Sequence, residues 1–197
     1  MKVIDDFISE EYLNQIQSFL TSEKVPWFYQ NNLTFCDDKS PQLGSHGFQF
    51  NLVTPDNPNV FRDNEVVGEG VRLLKPLVLS IKDKVNCFAE PKVTNILKCR
   101  LDFTTYVNKN IRHAPHTDLD DPHITTIFYV IDSDGDTLFY NTPVTDPSAN
   151  NKTYRGRVVE RVSPKANRLI IFNGSIVHTG HSPRKHDARI LLNTNFN

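Results

Sequence analysis

The chain lacks most of what would mark it as secreted, membrane-bound or covalently stapled. It has only three cysteines in 197 residues, Cys36, Cys87 and Cys99, an odd number without metal-site spacing. Neither a disulfide framework nor a structural zinc site is expected. No apolar run approaches the roughly 20 residues that span a bilayer. The opening MKVIDDFISEEY has no apolar leader segment, so a reduced, cytoplasmic protein without membrane association is the expectation. Charge of neither sign dominates: 22 Lys and Arg stand against 23 Asp and Glu, a net charge of -1. Without a global basic field, a nucleic-acid partner would need a local patch and is not expected. Glycine is scarce at eight residues. No internal repeat, low-complexity tract or composition break suggests a second domain.

What is present suits one globular domain. A chain of this length buries roughly 70% of its unfolded surface, enough for a core without staples. Aromatic residues reach 10%, 13 of them Phe, as a compact β-rich core would require. Val3 and Ile4 begin a short strand. Ser9 can cap a helix with Leu13, Ile16, Phe19 and Leu20 on one face. A second helical pattern runs from about Asn64 to Val85 through Val67, Val71, Leu74, Leu77, Val78 and Ile81. Pro76 is expected to kink it or split it. Between the helices, residues 25–63 hold Trp27, Phe28, Tyr29 and four prolines and read as short strands and long loops.

From Val93 the period changes to two. Ile96, Lys98, Arg100, Asp102 and Thr104 alternate with Leu97, Cys99, Leu101 and Phe103, which predicts one polar and one apolar strand face. Ile124–Ile131, Thr137–Tyr140, Arg157–Val162, Arg168–Phe172 and Arg189–Asn195 continue as strands, with tight turns at Asp134-Gly135 and Asn173-Gly174. Seven or eight short strands behind a helical N-terminus predict a mainly β fold with flanking N-terminal helices. The expected form is a double-stranded β-helix, jelly-roll and cupin-like. The chain is read as a single domain over 1–197, with 1–92 as helical and loop support and 93–197 as the jelly-roll core.

Within that core stand His116, Thr117 and Asp118, and 60 residues after Asp118 comes His178. On an extended strand Thr117 would set His116 and Asp118 on the same face, so that only the third group arrives by folding. Two imidazoles and one carboxylate, with other positions open, are the ligand set of a mononuclear non-haem Fe(II) oxygenase. Zinc or nickel would bind the same residues as well or better, and a solvated loop is the ordinary alternative. His113, His123, His181 and His186 read as partly exposed loop residues; His181, three residues after His178, is the one that could support a ligand from behind.

Arg189 follows His178 by eleven residues and opens the apolar stretch Ile190-Leu191-Leu192. A buried guanidinium on a barrel wall needs an anion. A dicarboxylate cosubstrate would supply one through a bidentate fork; an ion pair with Asp136, Asp187 or Glu160 is the structural alternative. Asn95 and Arg100 sit on the strand entering the site, either touching substrate or paired within the wall.

The segment from Tyr106 to Phe196 resembles the catalytic core of the Fe(II)- and 2-oxoglutarate-dependent dioxygenases, and most of all their prolyl 4-hydroxylase-like branch. The resemblance is carried by Tyr106, ten residues before His116, and by the runs Thr126-Ile127-Phe128-Tyr129-Val130, Gly135-Asp136-Thr137-Leu138 and Asn167-Arg168-Leu169-Ile170-Ile171-Phe172. The opening Ile4-Asp5-Asp6-Phe7-Ile8 is reminiscent of it as well. The resemblance implies that His116, Asp118 and His178 are the metal ligands and catalytic centre. It places Arg189 on the distal carboxylate of 2-oxoglutarate and Tyr106 beside the cosubstrate as a hydrogen-bond donor. Where many prolyl hydroxylases have a second tyrosine, this chain is read as having Phe128, with Tyr129 on the opposite face. Anchoring would then rest on Arg189 with Thr126, Thr137 or Thr194.

The implied cofactors are Fe(II), 2-oxoglutarate and O2, with ascorbate an open option. The implied activity is hydroxylation of a prolyl or other residue of a peptide or protein, or of a small molecule, with succinate and CO2 as coproducts. Two rivals stand beside it: a cupin-like Zn or Mn hydrolase or isomerase, and a non-catalytic jelly-roll binding module. The hydrolase gains nothing from Arg189 and lacks an evident Glu base. Substrate choice would lie in the mouth loops, Asn31–Asp63 and Pro143–Tyr154, from which no specificity and no oligomeric state can be read.

Overall fold

Alternation along a single strand, β10 (Ala188–Phe196), organises the molecule. Ile190, Leu192 and Phe196 enter one apolar cluster, whereas Leu191 enters another, and Arg189, Leu191 and Asn193 line a cavity. A strand buried on both faces must sit between two layers. The computed structural model, which describes residues 1–33, 45–62, 68–109, 111–141 and 156–197, has that architecture. Cys36 and the Pro143–Tyr154 loop lie outside the described residues.

The larger layer is a seven-stranded antiparallel sheet. It contains β1 (Lys2–Ile4), β2 (Phe28–Gln30), β3 (Gly47–Val53), β4 (Ile96–Thr105), β5 (Ile124–Tyr129), β8 (Arg168–Asn173) and β10, in the spatial order β1-β8-β5-β10-β4-β3-β2. The smaller layer holds β6 (Thr137–Tyr140), β7 (Val158–Val162) and β9 (His178–Thr179) in the order β7-β6-β9. Two facing antiparallel sheets with seven strands after Val93 make the jelly roll the sequence predicts. Residues 1–92 add β1, β2 and β3 to the larger sheet.

The helices cover the outer face of that sheet. α1 (Glu10–Leu20) begins at Ser9, whose hydroxyl accepts from the Tyr12 amide at 3.3 Å. It buries Leu13, Ile16, Phe19 and Leu20. α2 (Gly68–Asn86) buries Leu74, Leu77, Val78 and Ile81 against Phe50, Leu52, Leu101 and Leu192 of the sheet. Each fully buried aliphatic side chain stabilises by roughly 1.5–3 kcal/mol, so Leu74→Ala would cost about 2–5 kcal/mol. Pro76 does not split α2, contrary to expectation. It lies on the exposed side, and the turns around it are held by their buried faces. No helix among the described residues is long and apolar enough to cross a membrane.

A second correction concerns Asp134-Gly135, which forms no two-residue hairpin. The Asp134 carboxylate instead accepts from the amides of Arg184, Lys185 and His186 at 3.1–3.3 Å, tying down the loop before β10. Desolvation would raise this carboxyl, yet those hydrogen bonds bring it down to about 2.

Candidate active site

His116 and His178 are brought together by a two-way backbone pair. The His116 amide donates to the His178 carbonyl at 2.9 Å, and the His178 amide returns the bond at 3.0 Å. Their rings lie 4.8 Å apart. The expected strand through His116–Asp118 is reduced to this one bridge, because Pro115 and Pro122 on either side donate no ladder hydrogen bond. Phe139 and Phe172 wall in the His178 ring.

Both imidazoles present the same nitrogen. His116 Nδ1 donates to the Ala114 carbonyl at 3.0 Å and His178 Nδ1 to the Ile176 carbonyl at 3.1 Å, which leaves each Nε2 as a lone pair. Burial lowers both, His116 to about 4, so they stay neutral at physiological pH.

Asp118 completes the cluster, its side chain 1% exposed. One ligand atom from each of the three residues lies within 4.8 Å of the others, with Asp118 Oδ2 3.6 Å from His178 Nε2. Neighbouring donors on an ion with bonds of about 2.1 Å lie about 3 Å apart, so the three groups fit a divalent ion with little movement. Desolvation pushes Asp118 up, but Lys98, His178 and His116 outweigh it and hold the carboxyl well below its ordinary range. The carboxylate accepts from Asn193 Nδ2 and Asn195 Nδ2 at 3.2 Å and from Thr125 Oγ1 at 3.4 Å. These contacts fix its orientation. This clamp was not among the expected site residues, although period-two spacing from Arg189 sets Asn193 and Asn195 on one face.

The far end of the same cavity is cationic. Arg189, 6% exposed, donates from Nη2 to Thr137 Oγ1 at 2.8 Å, while its Nε has no partner among the described residues. Among the described residues no carboxylate lies within ion-pair distance of it; Asp136 pairs with Arg161 at 2.8 Å. Burial, the largest influence, lowers its pKa from the ordinary arginine value. Two glycines make room for the arm. A Cβ at Gly135 would stand 2.7 Å from Arg189 Cδ, and one at Gly180 would stand 3.2 Å from Nη1.

The tyrosine beside this guanidinium is Tyr129, not Tyr106. Tyr129 is fully buried, donates to Thr137 Oγ1 at 2.7 Å and has its ring 5.7 Å from the Arg189 guanidinium carbon. The expectation that Tyr129 faces away is overturned, since Phe128 takes that side and packs on Phe7. Tyr106, one residue past β4, is 48% exposed and outside the cavity wall; its amide is held by the Asp187 carbonyl. Thr137 lines the cavity, whereas Thr126 and Thr194 bond elsewhere in the sheet.

Other polar groups differ from expectation too. His113, His123 and His181 are buried rather than exposed, and only His186 is open. His113 Nε2 lies 3.0 Å from Ser182 Oγ, His123 Nδ1 donates to the Asp121 carbonyl, and His181 accepts from Arg112. Arg100 lines the cavity beside Asp102, whereas Asn95 is half-buried outside the cavity lining and bonds to Asn197. A wider depression, about 1040 Å³, runs along α1 and the start of α2. Its Lys24–Glu69 pair is solvent-exposed, and none of the site histidines reaches it.

No family model matches the chain, and no curated protein matches it in sequence. Solved structures do. An oxidoreductase of the 2OG-Fe(II) oxygenase family from Burkholderia pseudomallei superposes with TM-score 0.64 at 12% identity, over 97% of this chain and 81% of that one. HygX from Streptomyces hygroscopicus, with nickel, 2-oxoglutarate and hygromycin B bound, gives 0.60 at 13% identity over 99% and 81%. A prolyl hydroxylase from Trichoplax adhaerens, in complex with a hypoxia inducible factor peptide fragment, gives 0.56 at 17% identity over 99% and 82%. The fold is that of the 2-oxoglutarate–Fe(II) oxygenases. At these identities the likeness is one of architecture.

Proposed function

We propose that the chain is an Fe(II)- and 2-oxoglutarate-dependent oxygenase, one catalytic domain with 93–197 as its core and 1–92 as support. One observation carries the reading: His116 and His178 of a histidine–histidine–carboxylate cluster line one cavity with Arg189, a buried guanidinium that meets no carboxylate among the described residues. His116, Asp118 and His178 would hold the ion, with positions left open for other ligands. Arg189, the Thr137 hydroxyl and Tyr129 would bind the distal carboxylate of the cosubstrate. When bound, iron and 2-oxoglutarate would supply the oxidation of a substrate C–H bond by O2, with succinate and CO2 as coproducts.

The chain's own residues bind, orient and exclude water. The carbonyls of Ala114 and Ile176 fix the imidazole tautomers, and Asn193, Asn195 and Thr125 fix the carboxylate. Phe139 and Phe172 pack on the His178 ring, and Ile127 adds an apolar patch to the cavity lining. A peptide residue or a small molecule suits the open mouth as substrate. The peptide on the Trichoplax adhaerens prolyl hydroxylase and hygromycin B on HygX support both kinds. Prolyl hydroxylation is one member of that range.

The test is 2-oxoglutarate-dependent succinate release by the full chain with Fe(II), with and without added zinc. Succinate should form with iron, fall when zinc competes, and vanish in His178→Ala. Zinc-supported hydrolysis without 2-oxoglutarate would favour the cupin-like hydrolase instead. Absence of both turnover and 2-oxoglutarate binding would refute the reading.

A further inference from the structure

Two more cations that this chemistry does not use stand on β4: Arg100 in the cavity lining and Lys98 beside Asp118. Lys98, Arg100 and Asp102 share the inward face of β4, opposite Asn195, Asn193 and Leu191 of β10. Arg100 is partnered: its Nε lies 2.8 Å from Asp102 Oδ1, and its Nη2 donates to Oδ2 at 3.0 Å. Lys98 is not so well placed. Its side chain is 15% exposed, and its ammonium has an ion-pair contact, among the described residues, only with Asp118 Oδ1 at 3.7 Å. That is longer than a hydrogen bond. The same carboxylate is already engaged by Asn193, Asn195 and Thr125, and a metal ion would draw on it further.

Among the described residues the charges do not close without another anion. With the imidazoles neutral, Lys98, Arg100 and Arg189 stand against Asp102 and Asp118, an excess of one positive charge. A divalent ion adds two and a dicarboxylate removes two, so one positive charge remains inside a buried site. An uncompensated charge there is costly. The polar face also continues away from the histidines, since Gln49 and Asn51 of β3 stand opposite Asp102 and Arg100.

We propose that Lys98, with the free edge of the Arg100 guanidinium, binds an anionic group of the substrate, a carboxylate or a phosphate. The substrate is therefore an acid rather than a neutral molecule, and β4 positions it beside the metal. This rests on the oxygenase reading, and the two can be tested apart.

The full chain is loaded with Mn(II) and 2-oxoglutarate, and each is titrated by calorimetry to give its affinity. Inorganic phosphate and acetate are then added in separate arms, and paramagnetic broadening of the phosphorus or methyl proton resonance reports an anion held near the ion. One arm or both should broaden beyond free Mn(II), and the stronger arm names the anion. Lys98→Met should weaken that binding about tenfold or more, well beyond any change in 2-oxoglutarate affinity, while Lys98→Arg should retain it. The proposal is overturned if neither anion broadens or if Lys98→Met broadens as wild type does. It is equally overturned if Lys98→Met weakens 2-oxoglutarate by the same factor, which would assign Lys98 to the cosubstrate. Failure of the wild-type chain to bind Mn(II) with 2-oxoglutarate would bring down the oxygenase reading and this one with it.

Discussion

Arg189 and Tyr129 converge on a single oxygen: both donate to Thr137 Oγ1, at 2.8 and 2.7 Å. Because that oxygen accepts twice, its own proton is free to be donated onward, in company with the unpartnered Arg189 Nε. Such a seat suits a carboxylate. Arg189→Ala should raise the 2-oxoglutarate dissociation constant about 30-fold or more, the penalty for truncating one side of a buried charge contact. Arg189→Lys should fall between, since an ammonium cannot fork. Tyr129→Phe removes one neutral donor and should cost only about 3–10-fold. Equal 2-oxoglutarate affinity in wild type and Arg189→Ala would sink the assignment.

The Asn193–Asp118 and Asn195–Asp118 hydrogen bonds make a second prediction. With Asp118 buried and oriented by two amides, Asn193→Ala and Asn195→Ala each remove one of them and loosen the carboxylate's orientation. Metal affinity should drop about 10- to 100-fold in each single variant. Mn(II) calorimetry without cosubstrate reads this directly, apart from turnover. A change below about twofold in both variants would mean that the amides serve packing alone.

How much of this could be read from the sequence depends on whether a strand has one polar face. In β4 and β10 it does, and alternation correctly separates Lys98, Arg100 and Asp102, and Arg189, Asn193 and Asn195, from the helix-facing residues. β5 is buried on both faces, by helices on one side and the second sheet on the other. Its run Ile127-Phe128-Tyr129-Val130 is apolar throughout, so hydrophobicity cannot say which aromatic faces Arg189. Pairing register decides it: Tyr129 stands opposite Leu191, on the cavity side. The buried histidines escaped for a similar reason. His113, His123 and His181 lie in irregular segments, where no period reports burial.

Pro76 offers a test of the helical layer independent of the cavity. It has no amide proton to give the Arg72 carbonyl, yet α2 runs through it with Leu74, Leu77 and Val78 fully buried. Because Pro76 is exposed, Pro76→Ala restores a hydrogen bond without disturbing the packed face. Unfolding stability should rise by about 1–3 kcal/mol, the propensity gain less the added entropy of the unfolded chain. A higher urea midpoint with an unchanged slope is the expected signature. A lower midpoint would mean that the proline's shape is itself required by the packing of α2 on the sheet.

Acid sensitivity follows from the buried imidazoles. Burial lowers His113 from 6.5 to about 3 and His116 to about 4. Both therefore stay neutral in the folded, metal-free protein at pH 5, while in the unfolded chain they take up protons below about 6.5. The unfolded state binds more protons across that window. Stability is thus fully present above about pH 6.5 and is lost as pH falls toward the folded values. Each group removes about 1–2 kcal/mol between pH 6.5 and 5. Asp118 acts in the same direction further down, since its depressed carboxyl contributes stability above its ordinary 3.8 that disappears as pH falls through its folded value. In chelator-treated protein the urea midpoint should drop steadily from about pH 7 to about pH 5. His113→Gln, which keeps a polar partner for Ser182 but cannot titrate, should flatten that slope measurably. A midpoint constant over this range would show that these rings are protonated in the fold or reached by solvent.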